Sequence, residues 1–459
     1  MSSSLTTRRT IALDGSLTSI ILLEGMPANR RTVTVSSARA GDHGAISRFL
    51  QNIFRKPTST DYATQLEDPQ YEPRDRIVAR IGNQIIGHAR VQMRDIHFGN
   101  IQLPIGHLCE MATAPEYRNH GIGTAILEQA HDLMLEQGAA LGLLKTPAVR
   151  FYQNHNWFVG GRQSYSEASA RNVLSLLRKR DPEAEQQTNN PLSAPEQPLN
   201  IRIWRHVEQE ALMRLYQEKT TNTYGPVVRS DPTWRWLLNR HNFEQVYVAI
   251  NGPKKLTIQG GYDSIVGYAI VKNGHILEMM TDNSRNDIVP GLLERVCGDV
   301  IEQKDVPVRL HAPHQDPLHE FILAAGGNYY QRTVVGGVVI LAKVFKPMAL
   351  VKKMRNQINA RAVQAGIPLP AELGLCIDGK KYSLAITPRS VKLTRRKVSR
   401  NYITLSKSLF SQLLLGVIGA QEAAAKNQLQ ASTKIAGKLA ATLFPQLPVW
   451  LPPLDDLLA

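Results

Sequence analysis

The chain has 459 residues, a formal net charge of +15, 43% hydrophobic and 20% charged residues. At about 100–200 residues per domain, that length implies about three domains, each able to bury its own core. No apolar run reaches the roughly 18 residues of a membrane helix, and Ser19–Leu23 is too short for the apolar core of a signal peptide. Cys109, Cys297 and Cys376 are far apart and form no CxxC pair, which excludes a disulfide framework. The expectation is a cytoplasmic protein with no metal centre. Between Lys343 and Lys407 there are 15 Lys or Arg against two acids, Glu372 and Asp378. Such a basic cluster could meet nucleic acid, an anionic surface or acidic partners. Only Tyr382 and Tyr402 interleave it, so nucleic-acid binding is not expected. A solvated face or a subunit contact is the plain alternative.

Residues 1–32 read as an N-terminal extension that adds at most one strand. Arg76–Arg80 and Ile85–Met93 read as strands joined by Gly82-Asn83, a hairpin signal. Ile101–Thr113 reads as a third strand. Gly123–Gln137 reads as a helix, because Ile126, Leu127, Ala130, Leu133 and Met134 recur at helical spacing. Ala139–Leu144 reads as a buried strand and Pro147–Gln153 as a short helix. Asp181–Pro198 is polar, proline-rich and aperiodic, and reads as a linker.

A second α/β block repeats the first. Gly106-His107-Leu108-Cys109-Glu110-Met111-Ala112-Thr113 aligns with Gly274-His275-Ile276-Leu277-Glu278-Met279-Met280-Thr281, with five of eight positions identical. Ser264–Val271 likewise echoes Gln84–Val91. A third block begins near Phe345. It reads as a basic amphipathic stretch, Lys352–Ala365, a hairpin-like pair, Leu375–Thr387 and Val391–Arg396, and two helices, Lys407–Ile418 and Gln421–Leu443. The tail Phe444–Ala459 is apolar and proline-rich, and Asp455 and Asp456 in it read as a solvated turn or a cap. The expected boundaries are 1–32, 33–180, a linker 181–199, 200–345 and 346–459.

The segment that carries chemistry is Pro115-Glu116-Tyr117-Arg118-Asn119-His120-Gly121-Ile122-Gly123-Thr124, between a strand and an amphipathic helix. Glycine removes side chains where backbone must approach a ligand. The free N–H groups and positive dipole at the helix start favour a pyrophosphate.

Arg118-Asn119-His120-Gly121-Ile122-Gly123 resembles the Arg/Gln-x-x-Gly-x-Gly/Ala signature of the GNAT acyltransferase superfamily. Pro147-Ala148-Val149-Arg150-Phe151-Tyr152 is similar to its second recurring element, and the chain departs from the pattern at Asn156, where glycine is usual before the aromatic Trp157. The resemblance implies that acetyl-coenzyme A is the co-substrate. The backbone of Met111, Ala112 and Thr113 would hold the acetyl carbonyl and pantetheine arm. Arg118, Asn119, His120, Gly121, Ile122, Gly123 and Thr124 would cradle the pyrophosphate. Pro147 and Ala148 would flank the thioester, and Tyr152 would protonate the departing thiolate. A phenol can do this as C–S cleavage develops charge. The alternative for Tyr152 is a tyrosine packed on a helix face.

The second copy separates candidates. Its loop, Ser284–Pro290, has lost both glycines, and the equivalent of Tyr152 is Ile322. His107 and Glu110, either of which could be a general base, recur as His275 and Glu278, which favours structural roles. Two GNAT-like units and a third domain resemble the Eis-type (enhanced intracellular survival) N-acetyltransferases. That resemblance implies a fold class of α/β (α+β): two tandem GNAT-like mixed-sheet domains, the second degenerate, and an α+β sterol-carrier-protein-like C-terminal domain. It implies a primary amine acceptor (aminoglycoside, polyamine or lysine-like), the carboxylate of Ala459 as general base, and a homohexamer. The chain's ending departs from the family, whose last residues are often aromatic. The alternative is a non-catalytic acyl-coenzyme A- or lipid-binding protein, or a scaffold with a basic interaction surface.

Overall fold

The computed structural model describes residues 7–11, 17–23, 32–54, 58–187, 199–240, 242–252, 264–303, 306–395 and 399–455. In chain order the first elements are β1 Thr7–Ile11, β2 Leu17–Leu22, β3 Thr32–Ser37, α1 His43–Phe54, α2 Ser59–Leu66, β4 Arg76–Ile81, β5 Gln84–Phe98 and β6 Ile101–Thr113. Then come α3 Ile122–Glu136, β7 Leu141–Thr146, α4 Val149–Gln153, β8 Phe158–Val159, β9 Gln163–Ser169 and α5 Ala170–Gln187. The next are β10 Leu199–Ile203, α6 Gln209–Thr220, β11 Tyr224–Val227, α7 Asp231–Asn239, β12 Gln245–Asn251, β13 Ile265–Lys272 and β14 His275–Thr281. They are followed by α8 Ile288–Gln303, β15 Pro307–His311, α9 Leu318–Ala324, β16 Asn328–Arg332, β17 Val334–Val335 and β18 Val338–Val344. Mixed sheets with interleaved helices make this an α+β protein, as the sequence implies.

The chain divides into two compact units. The first comprises the described residues up to Asp95, with Leu103–Gly160 and Val338–Val351; the second comprises Ile96–Gln102, Gly161–Gly337 and Lys352 onward. In the first unit, strands β1 to β7 follow one another across a single sheet. The extension expected to add at most one strand adds two, because β1 pairs with β2 and β2 with β3, all antiparallel. Helix α3 buries Ile122, Ala125, Ile126, Ala130, Leu133 and Met134, the stripe its spacing predicts. It lies so close to the sheet that a Cβ on Gly87 would meet Ile126 at 2.7 Å.

The second unit repeats this plan with β12, β13, β14, α8, β15 and α9. A Cβ on Gly267 would meet Ile288 of α8 at 2.7 Å, as at Gly87. The Ala114 N–H donates to the Ile86 carbonyl at 2.8 Å, and at the matching positions the Asp282 N–H donates to Val266 at 2.9 Å. The repeat in sequence is therefore a repeat in structure.

The sheets close by exchanging strands. In the first unit, β7 pairs with β18, from Leu141↔Val344 to Thr146↔Val339, and β8 also pairs with β18. In the second, β15 pairs with β9, from Pro307↔Ser169 to His311↔Tyr165, and β9 pairs with β16. The sequence reading placed residues 163–169 with the first block and 338–344 with the second; the ladders place each with the other. Local pattern cannot reveal this, because a strand's hydrophobic alternation does not name its partner.

Other departures have local causes. The start of the expected linker, up to Gln187, continues helix α5, while 188–198 lie outside the described residues. In the third block, Leu375–Thr387 is not one strand. Ala371–Ile377 and Lys380–Ile386 form an antiparallel pair around Asp378 (φ 45°) and Gly379 (φ 76°). An Asp-Gly pair with both residues left-handed is a preferred hairpin turn. Gln421–Leu443 is also broken, into Ala420–Ala425, a short strand Gln430–Ala431 and Lys434–Leu443. The Thr433 side chain caps the last of these by accepting from the Ala436 N–H at 3.0 Å. Five strands form this block's own sheet.

Asp455 is not in a solvated turn. Its carboxylate accepts from Arg229 Nε and Nη2 at 2.8 Å each, and the same buried guanidinium donates to both Glu278 oxygens at 3.0 and 2.5 Å. Tyr268 adds a bond to Glu278 at 2.7 Å. Asp456 and Ala459 lie outside the described residues. Removing Glu278 takes one of the two carboxylates from buried Arg229 and leaves the Tyr268 hydroxyl without its acceptor. Glu278→Ala should therefore lower unfolding stability by about 3–5 kcal/mol in a denaturant titration. A protein of residues 32–160 alone, lacking β18, should fail to give a cooperative melt, and fusing 338–346 to it through a flexible linker should restore one.

Candidate functional site

The site begins where two parallel strands part. β6 and β7 pair from Ile105↔Leu141 to Leu108↔Leu144 and no further, while β7 stays with β18 through Thr146. Two residues on, Glu110 takes φ 53°, a conformation that L side chains rarely adopt. Its equivalent Glu278 has no such φ. Met111, Ala112 and Thr113 therefore follow a bend that carries them beyond the reach of the β7 ladder.

A short turn leads from Thr113 to α3. Tyr117 is buried and anchors it, and Arg118 Nε donates to the Thr113 carbonyl at 3.2 Å. Asn119 (φ 64°) and Gly121 (φ 74°) reverse the chain, and Gly121 caps α3. The N–H groups of Ile122, Gly123 and Thr124 open the helix, where no carbonyl four residues back within the helix can receive them. They and the helix dipole favour an anion. The two glycines serve differently. Gly121 is required by its backbone conformation. At Gly123 an added Cβ would meet only Phe151 at 3.6 Å and Thr113 Oγ1 at 3.8 Å, ordinary contacts. The protein's own packing does not demand glycine there. The Ile122 side chain is buried, so only its main chain faces the loop, while Arg118 and Asn119 are exposed.

After β7, Thr146 Oγ1 accepts from the Ala148 N–H at 2.9 Å and turns the chain into α4, with Pro147 and Ala148 exposed. Tyr152 on α4 is 7% exposed, and its hydroxyl donates to Met111 Sδ at 3.3 Å. Burial holds its phenol protonated well above the usual range. The Trp157 N–H donates to the Tyr152 carbonyl at 3.1 Å. Asn156 between them has φ 61°, so asparagine takes the left-handed turn that glycine would otherwise supply. The geometry thus brings together Met111 with Tyr152, Thr113 with Gly123, and Thr113 with Arg118.

Glu110 itself is engaged. It accepts from Arg76 Nη1 at 2.7 Å and Gln65 Nε2 at 2.6 Å, and its carbonyl meets His88 Nδ1 at 2.9 Å. Its pKa balances opposing causes: burial raises it, but the nearby positive charge of Arg76 brings the net below the usual carboxylate value. Its equivalent Glu278 also neutralises a buried arginine, so both recurring glutamates bind a guanidinium. Sequence reasoning missed this buried polar network. Its signal was present: His88, Arg90, Gln92 and Arg94 occupy every second position of one strand, hence one face.

Residues 34–160 match the family described as an acetyltransferase (GNAT) domain. This segment is a GNAT acetyltransferase domain. The chain is thus an acetyltransferase enzyme, and the domain implies acetyl-coenzyme A as co-substrate. Comparison with curated protein sequences finds no match. Solved structures share the fold along nearly the whole chain. A GCN5-related N-acetyltransferase from Anabaena variabilis is 15% identical, with TM-score 0.67 over 91% of this chain and 99% of that one. One from Kribbella flavida is 14% identical, with TM-score 0.66 over 94% and 100%. Eis1 from Mycobacterium abscessus is 13% identical, with TM-score 0.57 over 91% and 99%. Among the described residues no helix is long and apolar enough to cross a membrane, and no cluster of His, Cys, Asp and Glu could hold a metal ion.

His88 is fully buried, and burial together with Arg76 pushes its pKa down to about 3 from 6.5. Unfolded, it takes up a proton below pH about 6.5; folded, it does not until about pH 3. Stability is therefore present above 6.5 and lost as pH falls through that window. His88→Asn should remove about 2 kcal/mol of the acid sensitivity between pH 6.5 and about pH 5, read from melts across that range.

Proposed function

We propose that the GNAT domain transfers the acetyl group of acetyl-coenzyme A to a primary amine. The observation that carries the reading is the Tyr152 hydroxyl at 3.3 Å from Met111, on the strand bend beside the glycine-opened helix start. The first-turn amides of Ile122, Gly123 and Thr124 would grip the pyrophosphate, with Arg118, Asn119, His120 and Gly121 completing the cradle. The main chain of Met111, Ala112 and Thr113 would lie along the pantetheine arm, and Pro147 and Ala148 would flank the thioester.

In the step itself, the amine nitrogen attacks the thioester carbonyl and the oxygen gains negative charge. A main-chain N–H of the β6 bend would stabilise that charge. The C–S bond then breaks, and Tyr152 gives its proton to the thiolate sulfur. The amine's surplus proton leaves through a base and finally restores the phenol. The raised phenol pKa keeps Tyr152 protonated in the resting site, so its proton is in place when charge develops on the sulfur. The carboxylate of Ala459 is the base that the Eis resemblance suggests. Glu110 is a poorer candidate, since both its oxygens already accept hydrogen bonds. His107 remains an alternative. We further read residues 346–459 as the sterol-carrier-protein-like domain and the assembly as a homohexamer, both on that resemblance.

Tyr152→Phe should lower kcat by about 10²-fold, the scale of general-acid contributions, and leave the KM for acetyl-coenzyme A unchanged. Turnover unchanged in this variant would remove Tyr152 from the mechanism. Thermal stabilisation by acetyl-coenzyme A that persists in the variant would show the cofactor site intact.

A further inference from the structure

The polar face behind the strand bend is rich in arginine. Arg76 on β4 stands directly opposite Arg90 on β5 in the antiparallel register. Like charges in directly opposed positions repel, and these are 0% and 1% exposed. Arg94, on the same face of β5, is 7% exposed. Two carboxylates bond to these arginines, and a third, buried Asp75, lies near enough to interact with the charge of Arg90. Glu110 is bound to Arg76 at 2.7 Å. Asp68 is bound to Arg94 and accepts from Gln92 at 3.4 Å. Arg90 Nη2 reaches the same Asp68 oxygen at only 3.6 Å, and its Nε and Nη2 are buried with no hydrogen-bond partner. A buried guanidinium edge without an acceptor is costly.

The edge in question has a defined shape. Nε and Nη2 together form the side of the guanidinium that matches the two oxygens of a carboxylate. The second unit shows the fit: Arg229 uses Nε and Nη2 to hold Asp455 at 2.8 Å on each oxygen. The repeat also shows that the arginine pair is not part of the scaffold. Arg76↔Arg90 corresponds to Val246↔Ile270, and His88 to Tyr268. The copy without the cofactor loop has an apolar pair at this place, so the arginines accompany the loop.

Deepening the acyl-transfer reading, on which it rests, we propose that the Nε/Nη2 edge of Arg90 recognises a carboxylate on the acceptor, which is therefore an amino acid or a similar amine bearing its own carboxylate. Glu110, bonded to Arg76 on this face, is the chain neighbour of Met111 at the acyl site, so the recognition element and the reaction share one strand bend. The acceptor's carboxylate supplies the hydrogen-bond acceptors that this edge lacks. α2 and the turn after it cover the face, and their fastening is polar: Gln65 bonds Glu110 and Arg76, and Tyr71 bonds His43 at 2.7 Å. Tyr62 is the buried residue of α2. Leu66 packs against the core as well, so the ligand reaches Arg90 only when α2 and its turn open locally.

The test compares amines that differ only in the carboxylate: lysine with cadaverine, and ornithine with putrescine, in a thiol-release assay on the full chain. The amino acid should be preferred by about thirtyfold or more in kcat/KM, the scale of a buried hydrogen-bonded charge pair. Arg90→Ile, the residue found in the second copy, should abolish that preference and leave the KM for acetyl-coenzyme A unchanged. Equal use of both members by the native protein, or a preference that survives in Arg90→Ile, overturns the proposal. If neither member is acetylated, lysine must still raise the melting temperature of the coenzyme A-bound protein more than cadaverine does; equal shifts overturn it as well. Stabilisation by acetyl-coenzyme A alone, measured in parallel, separates these outcomes from failure of the acyl-transfer reading itself. If Arg90→Ile does not fold, the native protein's preference decides alone.

Discussion

A parallel ladder of four residue pairs that stops is the constraint on which the first unit's site depends. Sheet hydrogen bonding normally consumes every main-chain N–H and C=O along an interior strand. Here β7 leaves β6 after Leu108 because it is committed to β18 along its whole length. The bend at Glu110 carries β6 away on the other side. Main-chain groups that an uninterrupted sheet would use internally are thereby left out of the β7 ladder, beside a helix start whose first amides have no carbonyl within the helix to receive them. Tyr152 reaches the same place because α4 follows directly from the end of β7.

That bend is held by buried charge. A left-handed glutamate in a strand is strained, and strained residues persist when their surroundings over-determine them. Glu110 has a guanidinium and an amide on its carboxylate and an imidazole on its carbonyl. The second unit has the same glutamate bound to a different arginine, without the strain. The recurring residue is thus common to both units, while the conformation belongs to the one that has the glycine loop. The two units share one plan, and the first differs in two glycines, a tyrosine and a pair of facing arginines.

Helices α3 and α4 and strands β4 to β7 were readable from pattern and turn signals, while α1, α2 and helices α6 to α9 were not, and the end of α5 reads as linker. The glycine loop was readable because it is contiguous: Arg118 to Thr124 are neighbours in sequence before they are neighbours in space. Places where the reading erred were places where a turn residue outvotes a pattern. Asp378-Gly379 splits one apparent strand into two, and Thr433 restarts a helix after a break. The missed arginine face is of another kind. Its residues alternate legibly along β5, but alternation of polar residues ordinarily marks a solvated face. That this one is buried depends on α2 lying over it.

The sequence by itself determined the helix after the glycine loop, the strands that flank it, the repeat, the glycine-opened helix entrance and the identity of the groups on each strand face, because these follow from spacing along one chain. Only the tertiary structure decided that the sheets exchange β9 and β18, that the β6–β7 ladder ends at Leu108, and that Arg76 faces Arg90 under a cover. Those facts are pairings between distant segments. Backbone hydrogen bonds carry no label for their partner, so register and neighbour are chosen by the packing of the whole unit.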